Sequence, residues 1–187
     1  MFIQTEPTPN PATLKFIPGK SVLDDGTADF RGKSEATASP LASRLFDVDG
    51  VTGVFLGSDF ISVTKGEGDE WQHMKPAILG AIMEHYMSGA PVVSGGNDAA
   101  DDAAQESFDP KDEETVNTIK ELINTRVRPA VANDGGDIVF QGFRDGIVYL
   151  HMRGACSGCP SSTATLRHGI ENLLKHFCPD VQEVRPV

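Results

Sequence analysis

Residues 133–162 read NDGGDIVFQGFRDGIVYLHMRGACSGCPSS, which contains a glycine-rich turn, two alternating segments and a pair of cysteines. Asn133-Asp134-Gly135-Gly136-Asp137 predicts a turn, because glycine reaches backbone angles that other residues avoid. Apolar and polar residues alternate from Ile138, which predicts a strand, and Asp145-Gly146 predicts the tight turn of a hairpin. The return strand is expected to place Val148, Leu150 and Met152 on one face and Tyr149, His151 and Arg153 on the other.

Helical patterns lie on both sides of this hairpin. Before it, apolar residues recur at helical spacing, and we expect Arg128-Pro129 to end that helix because the residue before proline avoids helical angles. After the cysteines a second helix is predicted, followed by a short strand at Val181–Val184. The apolar stripes are Val116, Ile119, Ile123 and Val127 in the first helix and Leu166, Ile170, Leu173, Leu174 and Phe177 in the second. Residues 113–187 are therefore predicted to fold as helix, strand, strand, loop, helix, strand.

Residues 1–91 are predicted to form a first domain that also mixes helices and strands. Ser39 is a good N-cap and Pro40 a good first helical residue. Pro76 fits only in the first turn of a helix, because proline lacks the backbone N–H and crowds the preceding turn, so the helix is predicted to start near Trp71–Lys75 or to have a break there. The predicted elements are a strand at Leu14–Ile17, a helix from Pro40, a hairpin of Val51–Leu56 and Phe60–Thr64, and a helix from about Trp71–Lys75 to residue 87.

The segment between the two domains, residues 92–112, is acidic and has few apolar residues. The net charge is −5 over residues 1–91, −5 over 92–112 and −1 over 113–187, within a total of −11. Such a segment cannot offset the entropy of ordering, so we predict a flexible linker, with a short helix at Ala99–Gln105 as the weaker alternative. The acidic balance argues against partners that are nucleic acids or anionic membranes, and no apolar run is long enough to span a bilayer.

Cys156 and Cys159 can turn both sulfurs toward one metal or toward each other. Gly154 and Gly158 allow the backbone to curl, and Pro160 suits the first position of the following helix, which makes Cys159 its N-cap. The positive end of a helix stabilises a thiolate, the form of cysteine that binds metals. The spacing therefore predicts an exposed reactive or ligating pair.

The chain has only three cysteines, whereas a structural zinc site or a common iron–sulfur cluster uses four ligands. Cys178 follows the predicted helix, roughly 25–30 Å from the pair at about 1.5 Å per residue, and we interpret it as packing. Two chains related by a twofold axis would supply two pairs, enough for one cluster. A thiol–disulfide oxidoreductase and a zinc site shared between chains are the alternatives. Simpler interpretations apply to other polar residues: the five histidines are expected to be surface or partly packed residues, and Asp134 and Asp137 turn residues.

Several motifs together resemble a known family. Arg128-Pro129, Asn133–Ile138 and Gly154–Ser162 are similar to the C-terminal domain of NifU-like (Nfu-type) iron–sulfur scaffold proteins. Gln4–Pro11, followed by Leu14-Lys15-Phe16, resembles the N-terminal domain of the two-domain members. The resemblance covers both halves of the chain and leaves out only the predicted linker.

This resemblance implies a non-enzymatic scaffold or carrier. In the family, cysteines at the positions of Cys156 and Cys159 ligate a cluster, usually [4Fe–4S], between the two chains of a homodimer, and the cluster passes to apo iron–sulfur recipient proteins. An upstream assembly scaffold is a further implied partner, and the N-terminal domain is implied to recognise partners. Family members occur in bacteria and organelles. Because Met1–Pro7 has no feature of a leader peptide, the expected location is a bacterial cytoplasm, or an organelle if this is a mature eukaryotic form.

Overall fold

The computed structural model describes residues 1–94, 106–157 and 160–187, with the side chains of residues 160–162 left out. The chain divides into two compact units, Met1–Asp101 and Asp102–Val187. Each contains a sheet with helices packed on it, which confirms the α+β class and the presence of two small domains. No helix within the described ranges has both the length and the apolar character needed to cross a membrane.

The first unit is an antiparallel sheet covered by two helices. Its strand order is β1-β2-β5-β4-β3, so the chain's first strand lies at one edge and its third at the other. Leu41, Leu45, Ile78 and Ile82 are fully buried, which places the core between the helices and the sheet. The elements are β1 (Gln4–Pro7), β2 (Thr13–Ile17), β3 (Ala28–Phe30), α1 (Pro40–Phe46), β4 (Val51–Leu56), β5 (Ile61–Lys65) and α2 (Trp71–Ser88).

The elements predicted for this unit are confirmed within a residue or two, and two edge strands were missed. The Ser39 Oγ accepts the N–H of Ala42 at 3.1 Å, as the predicted N-cap should. The helix predicted from Trp71–Lys75 begins at Trp71, and Pro76 lies within it, just beyond the first turn. Strands β1 and β3 have only four and three residues. Strands that short carry too few side chains for alternation to be recognised.

One histidine of the first unit differs from the sequence-based expectation. His85 was expected at the surface or only partly packed, but it is fully buried in α2. Neither ring nitrogen has a hydrogen-bond partner. Burial, and to a lesser extent the nearby positive charge of Arg44, lower the pKa of His85. The ring is therefore held in its neutral form inside the core.

The second unit contains a four-stranded sheet in the order β6-β7-β8-β9. The predicted hairpin at its centre is confirmed: Asp145 and Gly146 both have positive φ, at 51° and 78°. Val148, Leu150 and Met152 are buried, as their alternation predicts. The elements are β6 (Ser107–Phe108), α3 (Glu113–Leu122), α4 (Arg128–Asn133), β7 (Gly136–Arg144), β8 (Ile147–Gly154), α5 (Pro160–Phe177) and β9 (Glu183–Pro186).

The helix predicted to end at Arg128-Pro129 does not end there. A π-helical turn, Ile123–Val127, follows α3 and leads directly into α4, so the chain stays helical to Asn133. Pro129 lies in the first positions of α4, where its missing N–H breaks no regular helical bond. The wider π turn thus accommodates the proline without a break in the helix.

The predicted linker, 92–112, differs from the structure at both ends. At its N-terminal end, Ser39 donates its hydroxyl to the carbonyl of Val92, and Ser94 donates its N–H to Ala38. At its C-terminal end, Ser107–Phe108 is a strand parallel to β7, and Pro110–Asp112 forms a 3₁₀ turn. Residues 95–105, including the alternative helix at Ala99–Gln105, lie outside the described residues.

The second core also corrects two expectations for side chains. Ile170 and Leu174 are buried as predicted, but Phe177 is 46% exposed, with the Arg126 guanidinium 5.2 Å from its ring centroid. Cys178, interpreted as partly packed, is buried in the core cluster of this unit. That position is consistent with its predicted structural role. Burial, together with the negative charge of Asp180, raises the pKa of the Cys178 thiol.

Candidate metal centre

Cys156 lies in a tight turn at the end of β8. Gly154, the last residue of that strand, has a φ of 65°, a conformation that favours glycine. The N–H and the hydroxyl of Ser157 both donate to the carbonyl of Gly154, at 3.1 and 2.9 Å. These contacts close the turn and point Cys156 back toward the domain, where only 7% of its surface is exposed.

The glycine-rich turn before β7 forms one wall of the cysteine site. Gly136 is paired with Gly154 across the β7–β8 ladder. A Cβ added at Gly136 would lie 2.7 Å from the Sγ of Cys156 and 2.7 Å from the carbonyl oxygen of Arg153. The N–H of Ala155 donates to the carbonyl of Gly135 at 3.2 Å. The turn predicted at residues 133–137 is shorter in the structure, because Asn133 ends α4 and Gly136 begins β7. Gly135 of this turn and Gly136 of the strand hold the cysteine loop by direct contact.

The environment of Cys156 differs from the exposed, thiolate-stabilising environment predicted from the sequence. Burial raises the pKa of its thiol to about 12, and the negative charges of Asp134 and Asp137 add to the effect. The sulfur is therefore protonated at neutral pH in the metal-free chain. To bind a metal it must lose that proton and become accessible, and a cation supplies the charge that favours the thiolate.

The second predicted ligand, Cys159, lies outside the described residues, so its N-cap role stays a prediction. The helix predicted to open at Pro160 does begin there and runs to Phe177. Thr163, in the first turn of α5, donates its hydroxyl to the carbonyl of Cys156 at 3.0 Å. The loop is thus tied to the helix that follows it as well as to the turn before β7.

The sequence did not indicate a partly buried ion pair near this site, between Arg128 and Asp137. Arg128 donates Nε to one carboxylate oxygen of Asp137 and an Nη to the other, each at 2.8 Å. The Asp137 side chain is only 5% exposed, and hydrogen bonding to it raises the pKa of Arg128. Asp137 is therefore more than a turn residue. No local pattern indicates this, because the partner, Arg128, belongs to a different element.

Two other candidate ligands have contacts that the structure describes. Cys178 is buried in the same core cluster as Cys156, and the Nδ1 of His151 is 3.0 Å from the carbonyl oxygen of Val187. Within residues 1–94, 106–157 and 160–187, no three His, Cys, Asp or Glu side chains come together as a metal site would require. Cys156 is thus the one predicted ligand whose surroundings the structure describes.

Comparisons with known proteins give consistent results for both halves of the chain. Residues 3–89 match the family model described as the N-terminal part of scaffold protein Nfu/NifU. Residues 119–185 match the NifU-like domain. The second match contains Cys156 and Cys159, the predicted ligand pair, and the glycine-rich turn before β7. The two matches occur in the order that the resemblance in the sequence predicts.

Curated relatives match along the whole chain. A mitochondrial "NFU1 iron-sulfur cluster scaffold homolog" of Drosophila sechellia is 51% identical over 188 residues, covering 100% of this chain and 65% of the relative. The mitochondrial "NifU-like protein 4" of Arabidopsis thaliana is 50% identical over 186 residues, covering 98% of this chain and 65% of the relative. The chain thus spans 65% of the length of each relative.

Among solved structures, a NifU-like protein from Saccharomyces cerevisiae aligns with 25% identity and a TM-score of 0.41, covering 50% of this chain and 85% of the other. That likeness is too low to bear on function. The two family models match residues 3–89 and 119–185, and the curated relatives align along this chain at 50–51% identity. The chain belongs to the two-domain Nfu-type family of NifU-like proteins.

Proposed function

We propose that this protein is an iron–sulfur cluster scaffold or carrier, and that Cys156 and Cys159 are its cluster ligands. The observation that carries the proposal is the position of Cys156, in a loop held by Gly135 and Gly136 within the NifU-like domain. The Drosophila sechellia relative is named as an iron–sulfur cluster scaffold homolog. In this proposal residues 113–187 bind the cluster and residues 1–91 recognise partners.

The cluster is proposed to be [4Fe–4S] and to bridge two chains. A cubane cluster takes four protein ligands, and the chain has three cysteines in all. Cys178 follows the C-terminal end of α5, an 18-residue helix about 27 Å long that begins directly after Cys159, so the proposal assigns two thiols per chain to the cluster. Two chains related by a twofold axis then supply four. Homodimerisation is therefore proposed to accompany cluster binding.

Loading and transfer are proposed to proceed by ligand exchange. On loading, Cys156 gives up its thiol proton to solvent and its sulfur bonds to iron. On transfer, a thiolate of the recipient protein displaces that sulfur from iron, and Cys156 takes up a proton again. Because the pKa of the free thiol is raised to about 12, protonation favours release of the cluster once a recipient thiolate is in place. No net oxidation or reduction is required.

Recipients are proposed to be apo iron–sulfur proteins, and an upstream assembly scaffold is a proposed source of the cluster. A bacterial cytoplasm, one of the two expected locations, keeps cysteines reduced. A reducing compartment suits a CxxC pair that must remain as thiols. The mitochondrial names of the curated relatives are consistent with the organellar alternative.

Cluster reconstitution in cysteine variants tests the proposed ligands. Anaerobic reconstitution with ferrous iron and sulfide should give the wild type a brown four-iron cluster, measured by visible absorption, Mössbauer spectroscopy and iron content. Cys156→Ser and Cys159→Ser should abolish it. Cys178→Ala is the matched control and should keep it, because Cys178 follows the C-terminal end of α5, whereas the cysteine pair precedes that helix. Full loading of Cys156→Ser or Cys159→Ser would contradict the proposal.

The two alternative functions predict different results for the same protein. A thiol–disulfide oxidoreductase needs an accessible thiolate, whereas Cys156 is buried and its pKa is raised. Reduction of insulin disulfides by metal-free protein would favour that alternative. Stoichiometric zinc in anaerobically purified, colourless protein would favour the shared zinc site, because Zn²⁺ has no visible absorption.

A further inference from the structure

The ion pair between Arg128 and Asp137 lies directly behind the cysteine loop. Its two parallel bonds, each 2.8 Å long, join the first residue of α4 to the second residue of β7. The N–H of Ile138 donates to the same carboxylate at 2.8 Å. A bidentate pair fixes orientation as well as distance, and the side chain of Asp137 is almost completely buried. The start of β7 is therefore held rigidly against α4.

This ion pair holds the start of β7, and the cysteine loop packs against the start of β7. Asp137 is opposite Arg153 in the ladder, and Gly136 is opposite Gly154. A Cβ at Gly136 would meet the Sγ of Cys156 at 2.7 Å. Displacement of the start of β7 would therefore move the surface that packs against the cysteine sulfur.

We propose that Arg128 and Asp137 are positioning residues for Cys156, and that their ion pair sets how long a bound cluster is retained. The retention part rests on the function proposed above, whereas the positioning part applies to the metal-free chain. Outer partners that orient metal ligands typically change metal affinity or activity 10–100-fold when they are removed. Neither residue contacts the cluster in this proposal; both act through Gly136 and the loop.

Alkylation of the reduced, metal-free protein tests the positioning part. Asp137→Asn keeps the shape of the side chain and removes its charge, and Arg128→Lys keeps the charge but loses the bidentate fork. Iodoacetamide labelling, followed residue by residue by mass spectrometry, should be about tenfold faster at Cys156 in Arg128→Lys. That variant is decisive because it leaves Asp137 charged, whereas Asp137→Asn also removes a negative charge that raises the pKa of the Cys156 thiol. Labelling of Cys178 should not change, because Cys178 follows the C-terminal end of α5, away from the loop that precedes that helix.

The matched control is Arg185→Lys in the exposed pair that Arg185 forms with Glu183, also through two bonds, of 3.0 and 3.2 Å. It should leave both labelling rates unchanged. An unchanged rate at Cys156, or an equal rise at Cys178, would overturn the proposal, since the second result means general destabilisation. Arg128→Lys provides the test if Asp137→Asn fails to fold.

Cluster retention is measured on the same variants after anaerobic loading. The absorption spectrum should match that of the wild type, but its decay in the presence of an iron chelator should be about tenfold faster. If the cluster absorption decayed at the wild-type rate in both variants, the proposal that the ion pair sets cluster retention would be contradicted. Faster labelling of Cys156 in a protein that never binds a cluster would support positioning and contradict the proposed function, so the two failures are distinguishable.

Discussion

At the scale of single residues, the site depends on the space that one glycine leaves. Gly136 has no positive φ, so its requirement is steric and not conformational. Its missing side chain lets the Cys156 sulfur and the Arg153 carbonyl approach the backbone of β7. A sequence alone indicates that two adjacent glycines make a turn, but it does not indicate which one faces a sulfur.

Gly136→Ala is expected to destabilise the second unit by about 1–3 kcal/mol, because the added methyl group overpacks the site. It should also weaken cluster binding by displacing Cys156. Gly169→Ala in α5 is the matched control: nothing lies within 4 Å of the added Cβ, so it should stabilise by about 0.5–1 kcal/mol. Urea denaturation followed by circular dichroism measures both, and equal stability of the two variants would contradict this account.

His85 makes a residue-scale prediction about pH. Its folded pKa lies below the ordinary value of 6.5, so the unfolded chain binds more protons. The stability of the first unit should therefore be unaffected above pH 6.5 and should decrease as the pH falls below it. His85→Leu removes both the titration and two unpaired ring nitrogens, so it should abolish this decrease and stabilise the unit by about 1 kcal/mol at pH 7.

Trp71 is the only tryptophan in the chain and lies in the first unit. Tryptophan fluorescence therefore reports selectively on the unfolding of that unit. Urea titrations between pH 5 and 7.5 give the free energy of unfolding at each pH. His73→Gln, on the exposed side of the same helix, should keep the pH dependence of the wild type. Loss of that dependence in His73→Gln, or its persistence in His85→Leu, would show that another group is responsible.

At the scale of elements, sequence patterns predict those segments whose own residues determine their structure. The hairpin at Asp145-Gly146 and the helix start at Ser39-Pro40 are two such cases, because a turn or a cap is a local arrangement. The continuation of the helix past Pro129 was not predictable in this way. It depends on a π turn and on the pairing of Arg128 with Asp137, a residue in a different element. Edge strands such as β6 likewise acquire their structure from the strand that they join.

Ser39→Ala is expected to destabilise the first unit by about 1–2 kcal/mol. The buried hydroxyl accepts the N–H of Ala42 and donates to the carbonyl of Val92, so its removal leaves two buried groups without that partner. Ser34→Ala is the control, because Ser34 precedes a 3₁₀ helix without making a side-chain capping bond. Urea denaturation followed by Trp71 fluorescence should detect a loss only for Ser39→Ala; equal midpoints would contradict the capping account.

At the scale of the whole molecule, the sequence predicted two α+β domains and the cysteine loop, but not the burial of Cys156. That burial arises because β7, β8 and the start of α5 meet around the sulfur, and these elements are separated along the chain. The consequence is a metal-free form in which the ligand is stored as a thiol. In the function proposed here, exposure of that thiol is part of cluster binding, and its burial in the metal-free form is part of release.

The central claim is that one cluster is held between two chains by two cysteines from each. Native mass spectrometry of anaerobically reconstituted protein tests it directly, because one spectrum gives the number of chains, irons and sulfides in each coloured complex. We predict two chains with one four-iron, four-sulfide core. A single chain carrying the complete core, or a protein that stays colourless when supplied with ferrous iron and sulfide, would contradict it.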